Sequence, residues 1–145
     1  MRILDIGCGP CQYSCELLQF RPEKYLGVDY SDAYVRETNA ILSGQNNMRA
    51  IRYDITDRTF IDTLKDECFD CVLMLDVLEH IQDDRAALEA VNQVMRATKS
   101  SVLFLKVPAM PGIYGMNDRA IGHYRRYSKR SLLALLEKCR FNVER

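Results

Sequence analysis

Short apolar runs of strand length alternate with helix-period segments along the whole chain, and that alternation leaves few folds open. Arg2–Ile6, Lys24–Val28, Met48–Tyr53, Phe69–Leu75 and Ser101–Val107 read as strands. Phe69–Leu75 is almost continuously apolar, as a strand covered on both faces of a parallel sheet must be. Helical patterns fall between them. Gln12–Phe20 is one. A second is capped by Ser31, runs to about Leu42 and is stopped by Ser43 and Gly44. A third, short helix is capped by Asp57 and reaches Leu64. In Asp83–Ala97 the apolar residues Ala86, Ala87, Ala90, Val91, Val94 and Met95 recur at the helical period. A last helix opens at Ser128 and runs through Lys138, and Phe141–Val143 reads as the start of a sixth strand. Repeated strand–helix–strand units predict a doubly wound, mostly parallel α/β sheet with helices on both faces.

The chain has 145 residues, which suits a single domain spanning 1–145. Hydrophobic residues make up 48% and charged residues 28%, enough apolar material for one core. Twenty basic residues balance twenty acidic ones, so bulk charge gives no reason to expect nucleic acid or an acidic lipid surface as partner. The apolar runs are far shorter than a membrane span, and Met1–Ile6 lacks the pattern of a signal peptide. The chain therefore reads as intracellular and cytoplasmic, with its six cysteines reduced.

The first strand runs into Asp5-Ile6-Gly7-Cys8-Gly9-Pro10-Cys11. Sheets of this kind bind ligands beyond the carboxyl ends of their strands. Glycines there let backbone approach a ligand, and the next helix offers free N–H groups to an anion. A dinucleotide fingerprint would need a glycine where Gln12 stands, so that fingerprint fails. A nucleoside site survives. Asp29 ends the second strand, where a carboxylate can accept two ribose hydroxyls. Tyr30 beside it can stack on a purine. Asp54 ends the third strand and can accept from an exocyclic amine. The plainer reading is that these carboxylates only cap the helices that follow.

These motifs resemble those of class I S-adenosylmethionine-dependent methyltransferases. Ile3-Leu4-Asp5-Ile6-Gly7-Cys8-Gly9 is similar to their first motif and Gly27-Val28-Asp29-Tyr30-Ser31 to their second. Phe69–Leu73 through Asp76-Val77-Leu78-Glu79-His80-Ile81 resembles the fourth-strand motif. Gly122–Ser128, after Val107-Pro108-Ala109, is similar to a segment of one bacterial-type small-molecule branch. The resemblance implies a Rossmann-like fold and S-adenosyl-L-methionine as cofactor. It implies that Asp5, Gly7, Cys8 and Gly9 shape the methionine end and that Asp29 holds the ribose. It further implies that Tyr30, Asp54 and Ile55 border the adenine, and that Leu75 and Asp76 face the cofactor's amino end. The sequence departs from the family twice. Cys11 stands where a third glycine is usual. The family sheet has seven strands with helical material before the first, whereas here the first strand begins at residue 2 and the chain stops as a sixth begins. The sequence thus reads as a partial, truncated domain whose fifth strand has an unprotected edge open to self-association.

Cys8-Gly9-Pro10-Cys11 also spells a thioredoxin-type redox motif. That fold needs a strand and helix before the motif and usually a Trp, and the chain has neither. Pairing it with Cys68 and Cys71 as a zinc site fails on geometry. The two pairs belong to opposite ends of neighbouring parallel strands, roughly 17–20 Å apart, against zinc–sulfur bonds of ~2.3 Å. No metal site is expected. Cys11 should lie near the positive end of the following helix, which lowers a thiol pKa, and a Cys8–Cys11 disulfide would distort the turn.

Methyl transfer needs alignment and exclusion of water, and an oxygen acceptor also needs a base. His80 follows the fourth strand near the expected pocket. His123 sits in the long segment Pro108–Tyr127, beside Tyr124, Arg125, Arg126 and Tyr127. Loops of that length serve as lids or walls. His123 is the expected acceptor-side base, with His80, Tyr124, Arg125 and Arg126 on the substrate side, where arginines can grip an anion. The blander reading is that His123, Arg125 and Arg126 fix the loop by hydrogen bonds. The expected function is transfer of a methyl group to a small-molecule or lipid-like acceptor. The alternatives are a non-catalytic cofactor-binding remnant and an NAD(P)-dependent oxidoreductase of similar fold, which the failed fingerprint disfavours.

Overall fold

The computed structural model describes residues 1–11, 15–57, 59–98 and 100–144, and of residues 15 and 17 the backbone alone. Gln12 and the first turn of the helix expected over Gln12–Phe20 lie outside the described residues. Five strands make one parallel sheet in the order β3-β2-β1-β4-β5. They are β1 (Arg2–Ile6), β2 (Lys24–Asp29), β3 (Met48–Arg52), β4 (Cys71–Leu75) and β5 (Val102–Lys106). The helices are α1 (Cys15–Leu18), α2 (Asp32–Ile41), α3 (Phe60–Leu64), α4 (Asp84–Met95), α5 (Met116–Ala120) and α6 (Lys129–Lys138). This is the Rossmann-like doubly wound sheet expected from the alternation, with five strands where the resemblance implies seven.

Side chains alternate across the sheet and divide the core in two. Leu4, Ile6, Leu26, Val28, Val72 and Met74 face one way, against Phe60 of α3, Leu88 and Val91 of α4 and Leu136 of α6. Ile3, Tyr25, Cys71 and Leu73 face the other, against Cys11, Leu42 and Leu18 of α1. Each fully buried aliphatic or Phe side chain contributes about 1.5–3 kcal/mol, so the first layer carries most of the packing energy. On the second face β5 is poorly covered: Val102 is 49% exposed and Phe104 56%.

Helix ends follow local chemistry. Ser31 accepts the Tyr34 N–H (3.4 Å), and Asp83 caps α4 by accepting the Ala86 N–H (2.9 Å). Ser128 and Ser131 cap α6 reciprocally, each side-chain oxygen taking the other's N–H at 3.0 Å. The cap expected from Asp57 is not made. Its carboxylate turns onto the N–H and hydroxyl of Thr59, both 2.8 Å away, so α3 starts only at Phe60. The expected sixth strand over Phe141–Val143 is also absent. Arg140 takes φ 65°, the N–H of Phe141 returns to Leu136 O (2.9 Å) and that of Arg140 to Glu137 O (3.0 Å). That closing turn leads into irregular chain, with Phe141 packed on the core rather than paired.

Candidate functional site

The chain leaves β1 toward β2 and β3 on one side, then crosses back to β4 and β5 on the other. Ligands of such sheets bind where the winding direction reverses, beyond the carboxyl ends of the strands. A cavity of about 790 Å³ lies there, over the ends of β1 to β4, with Ile121, Gly122 and Tyr124 on its far wall. Its volume suits a small-molecule site.

The turn after β1 forms its floor. Gly7 (φ 69°) and Gly9 (φ 52°) both take left-handed backbone. The Gly7 N–H donates to Val28 O (2.7 Å) and the Gly9 N–H to Asp29 Oδ2 (3.0 Å), while the Thr38 hydroxyl donates to Gly9 O (2.7 Å). A Cβ on Gly7 would lie 2.3 Å from Val77 Cγ2, whereas one on Gly9 would meet nothing within 4 Å. Gly9 thus presents bare backbone to open space. Cys11 also has φ 62°, which accounts for the glycine usual at that position in the resembling family. For a non-glycine residue that conformation costs about 1–2 kcal/mol. Here the Cys11 side chain is wholly buried, with Sγ 4.0 Å from the Tyr25 hydroxyl. Cys8 tucks beneath the turn, over Gly27, where an added Cβ would come within 2.9 Å of its sulfur. Burial, and then the charges of Asp5 and Asp29, push the Cys8 thiol up to about 12. Cys8 and Cys11 are both free thiols. Cys71 pairs with Ile3 at the start of β1, and the Cys11 side chain folds back into the same core layer as Cys71.

The expected cofactor residues divide into two groups. Gly7, Gly9, Asp29, Tyr30, Asp54, Ile55 and Asp76 line the cavity; Asp5, Cys8 and Leu75 do not. Asp5 is buried and accepts the Tyr25 hydroxyl at 2.8 Å. Asp29 accepts the Ser31 N–H (2.8 Å) on Oδ1 and the Gly9 N–H on Oδ2, and each oxygen keeps a second lone pair for a ligand. Tyr30 is 76% exposed along the wall. Asp54 Oδ1 takes the N–H (2.8 Å) and hydroxyl (2.7 Å) of Thr56, which fixes the carboxylate at the rim. Asp76 has φ 56°, a strained backbone at the tip of β4, and pairs with Lys106 at 2.6 Å. Nothing in the sequence signals that strain, and such residues cluster at functional sites.

On the other wall, His80 and Tyr124 line the cavity, while His123, Arg125 and Arg126 lie outside it. His80 is exposed as a residue, but partial burial of its ring, then the nearby His123, lowers its pKa. The two imidazoles meet edge to face, 4.5 Å between centroids. His123 Nδ1 lies 3.2 Å from Asp118 Oδ1, and Nε2 lies 3.9 Å from Glu79 Oε1. Arg126 donates to Asp118 (2.7 Å) and to Ala109 O (3.3 Å). Arg125 pairs with Asp84 (2.6 Å) and donates to Gln82 O (2.6 Å). Both arginines therefore fasten the loop. Glu79 and Asp118, two buried carboxylates, were not singled out by sequence reading. The adjacency of Glu79 to His80 was the available signal for one. The partner role of Asp118 depends on the turn formed by α5 and had none.

The methyltransferase-domain family profile matches residues 4–102, which cover β1 through the start of β5. The chain belongs to that family. Among solved structures, this methyltransferase domain superposes on a candidate methyltransferase from Bacillus halodurans with TM-score 0.81 and 19% identity, covering 99% of this chain and 64% of that one. It is similar to an S-adenosylmethionine-dependent methyltransferase from Mesorhizobium loti (TM-score 0.77, 19% identity, 99% and 75% covered). It is also similar to SpnF, a [4+2]-cyclase (TM-score 0.76, 19% identity, 95% and 50% covered). The chain spans under two thirds of the Bacillus halodurans protein. Likeness at these identities shows the fold, and the cyclase shows that one fold serves more than one chemistry.

Proposed function

We propose that the cavity binds S-adenosyl-L-methionine and that the protein transfers a methyl group to a small-molecule or lipid-like acceptor. The observation that carries this reading is the meeting of open Gly9 backbone and the Asp29 carboxylate on one wall of a cavity large enough for a nucleoside ligand. The residues fit the cofactor's parts. The Gly7–Gly9 turn receives the amino-acid end with Asp76 opposite, Asp29 accepts from the ribose, and Tyr30, Asp54 and Ile55 border the base. When bound, the cofactor supplies an activated methyl on a positive sulfur. The chain's own residues align the acceptor and exclude water. His80 and Tyr124 reach the acceptor side, and His123 acts on His80 from behind. Around them the wall loop exposes Met110, Ile113, Met116 and Ile121, which supports an acceptor with an apolar part.

Residues 1–145 constitute one cofactor-binding core domain in this reading, placed in the cytoplasm; no described helix is long and apolar enough to cross a membrane. The exposed Val102 and Phe104 leave one face of β5, an edge strand of the sheet, uncovered, which supports self-association of the 145-residue chain there.

Titration calorimetry with S-adenosylmethionine and its demethylated product tests the reading. We expect saturable binding of both, and at least a tenfold loss in Asp29→Ala, about 1.4 kcal/mol or more. Absence of heat from a folded sample with either ligand rejects it. NAD(P) in a parallel titration should give none.

A further inference from the structure

We propose that Glu79, His80 and His123 form a binding site for a divalent transition metal of the zinc class on the acceptor-side wall of the cavity. One ligand atom from each lies within 4.8 Å of the others. Glu79 makes the case. Its side chain is 1% exposed, and neither carboxylate oxygen receives a hydrogen bond from another described residue. An acceptor-only group left bare in a protein interior costs several kcal/mol, so native structures supply a partner.

The nearest candidate is His123, and its orientation is fixed from behind. Asp118 Oδ1 sits 3.2 Å from Nδ1, and Arg126 and the Gly115 N–H hold Asp118 in turn. A carboxylate on one imidazole nitrogen places the proton there and leaves the other nitrogen's lone pair facing outward, the usual support of a metal-bound histidine. The nitrogen that keeps it, Nε2, lies 3.9 Å from Glu79 Oε1. The gap is too long for a hydrogen bond, yet two metal–ligand bonds of ~2.0–2.2 Å span it. His80 brings the third ligand from the cavity side, so open coordination positions would face the cavity. The Tyr124 N–H bonded to Glu79 O (2.7 Å) pins the His123 loop to Glu79. One carboxylate and two imidazoles select zinc, cobalt or ferrous iron over magnesium, and three protein ligands leave room for an exogenous one. The inference does not rest on methyl transfer.

Cobalt(II) titration of the tag-free, chelator-stripped chain, followed by visible absorption, provides the test. We expect one equivalent bound at micromolar affinity or tighter, with bands of nitrogen and oxygen ligation, no sulfur charge-transfer band, and displacement by zinc. His80→Ala and His123→Ala should each weaken binding about 100-fold with circular dichroism unchanged, and Asp118→Asn about 10- to 100-fold. Glu79→Gln should do the same if it folds; His80→Ala, at an exposed position, keeps the test decisive if it does not. Absence of such bands, or binding indifferent to both histidine variants, overturns the site.

Discussion

Gly7 and Gly9 share a backbone conformation but not an environment, and substitution separates the two causes. Alanine at position 7 meets both the left-handed φ and Val77, whose nearest methyl carbon would be 2.3 Å from the new Cβ. Val is stiff at χ1, so the overlap cannot be relieved by a small rotation. Strain of ~1–2 kcal/mol and overpacking of ~1–3 kcal/mol together give an expected loss of about 2–5 kcal/mol for Gly7→Ala. Gly9→Ala carries the conformational cost alone, about 1–2 kcal/mol. Its methyl group enters the space where the cofactor would approach, so its larger effect should be on affinity. Urea unfolding and cofactor titration of both variants check this. Equal stability losses would mean that Val77 yields freely and that the turn is softer than its geometry implies.

Elements were legible where local chemistry decides them. Ser31 and Ser128 cap their helices as read, the strand runs stand within a residue or two of expectation, and α4 buries Ala87, Val91, Val94 and Met95 from its predicted apolar face. Misreadings arose where two local options compete. Asp57 could cap α3 or fold onto Thr59, and the nearer partner wins. Phe141–Val143 has strand composition, but the closing turn of α6 sends Phe141 onto the core. Within the site, the glycines were readable because left-handed backbone restricts residue type, and Asp29 and Asp54 because they follow strand-length runs at the end of the sheet where the cavity lies. Which way Asp5 and Cys8 point depends on Tyr25 and Gly27, on a neighbouring strand, and no local pattern carries that. The cap on α4 gives the element-scale prediction. Asp83 satisfies the Ala86 N–H and places a negative charge at the helix start. Asp83→Ala should cost about 1 kcal/mol, with Asp83→Ser recovering most of it, measured by chemical denaturation. A loss confined to less than a few tenths of a kcal/mol would mean that solvent satisfies that end equally well.

At the scale of the whole molecule, the two ends of the sheet divide the work. The carboxyl ends of the strands carry the cavity, and the opposite end is tied by charges that do not touch it. There Glu67 pairs with Lys24 and with Arg2 (3.3 Å), while Arg2 also donates to Cys68 O (2.6 Å) and its N–H to Asp70 (2.7 Å). These contacts join the starts of β1, β2 and β4. The hydrogen bond from Lys24, aided by the charges of Lys24, Arg2 and Arg49, outweighs burial and holds the Glu67 carboxyl below its ordinary value of 4.5. In the pH range between its folded and unfolded values, the unfolded chain binds more protons, so stability rises with pH there. The contribution is complete above about pH 4.5 and is lost as pH falls through the lowered folded value. The side chain is 28% exposed, so solvent screening limits the network to about 1 kcal/mol. Glu67→Gln should therefore unfold about 1 kcal/mol more easily at pH 7. The gap from the parent should close as pH falls below the folded value, and cofactor affinity at the far end of the sheet should not change. Denaturant titrations of both proteins across this range decide the matter. A gap that stays constant down to acid pH would show that Glu67 acts through packing or shape, and the charge network would then not be what ties the strand starts together.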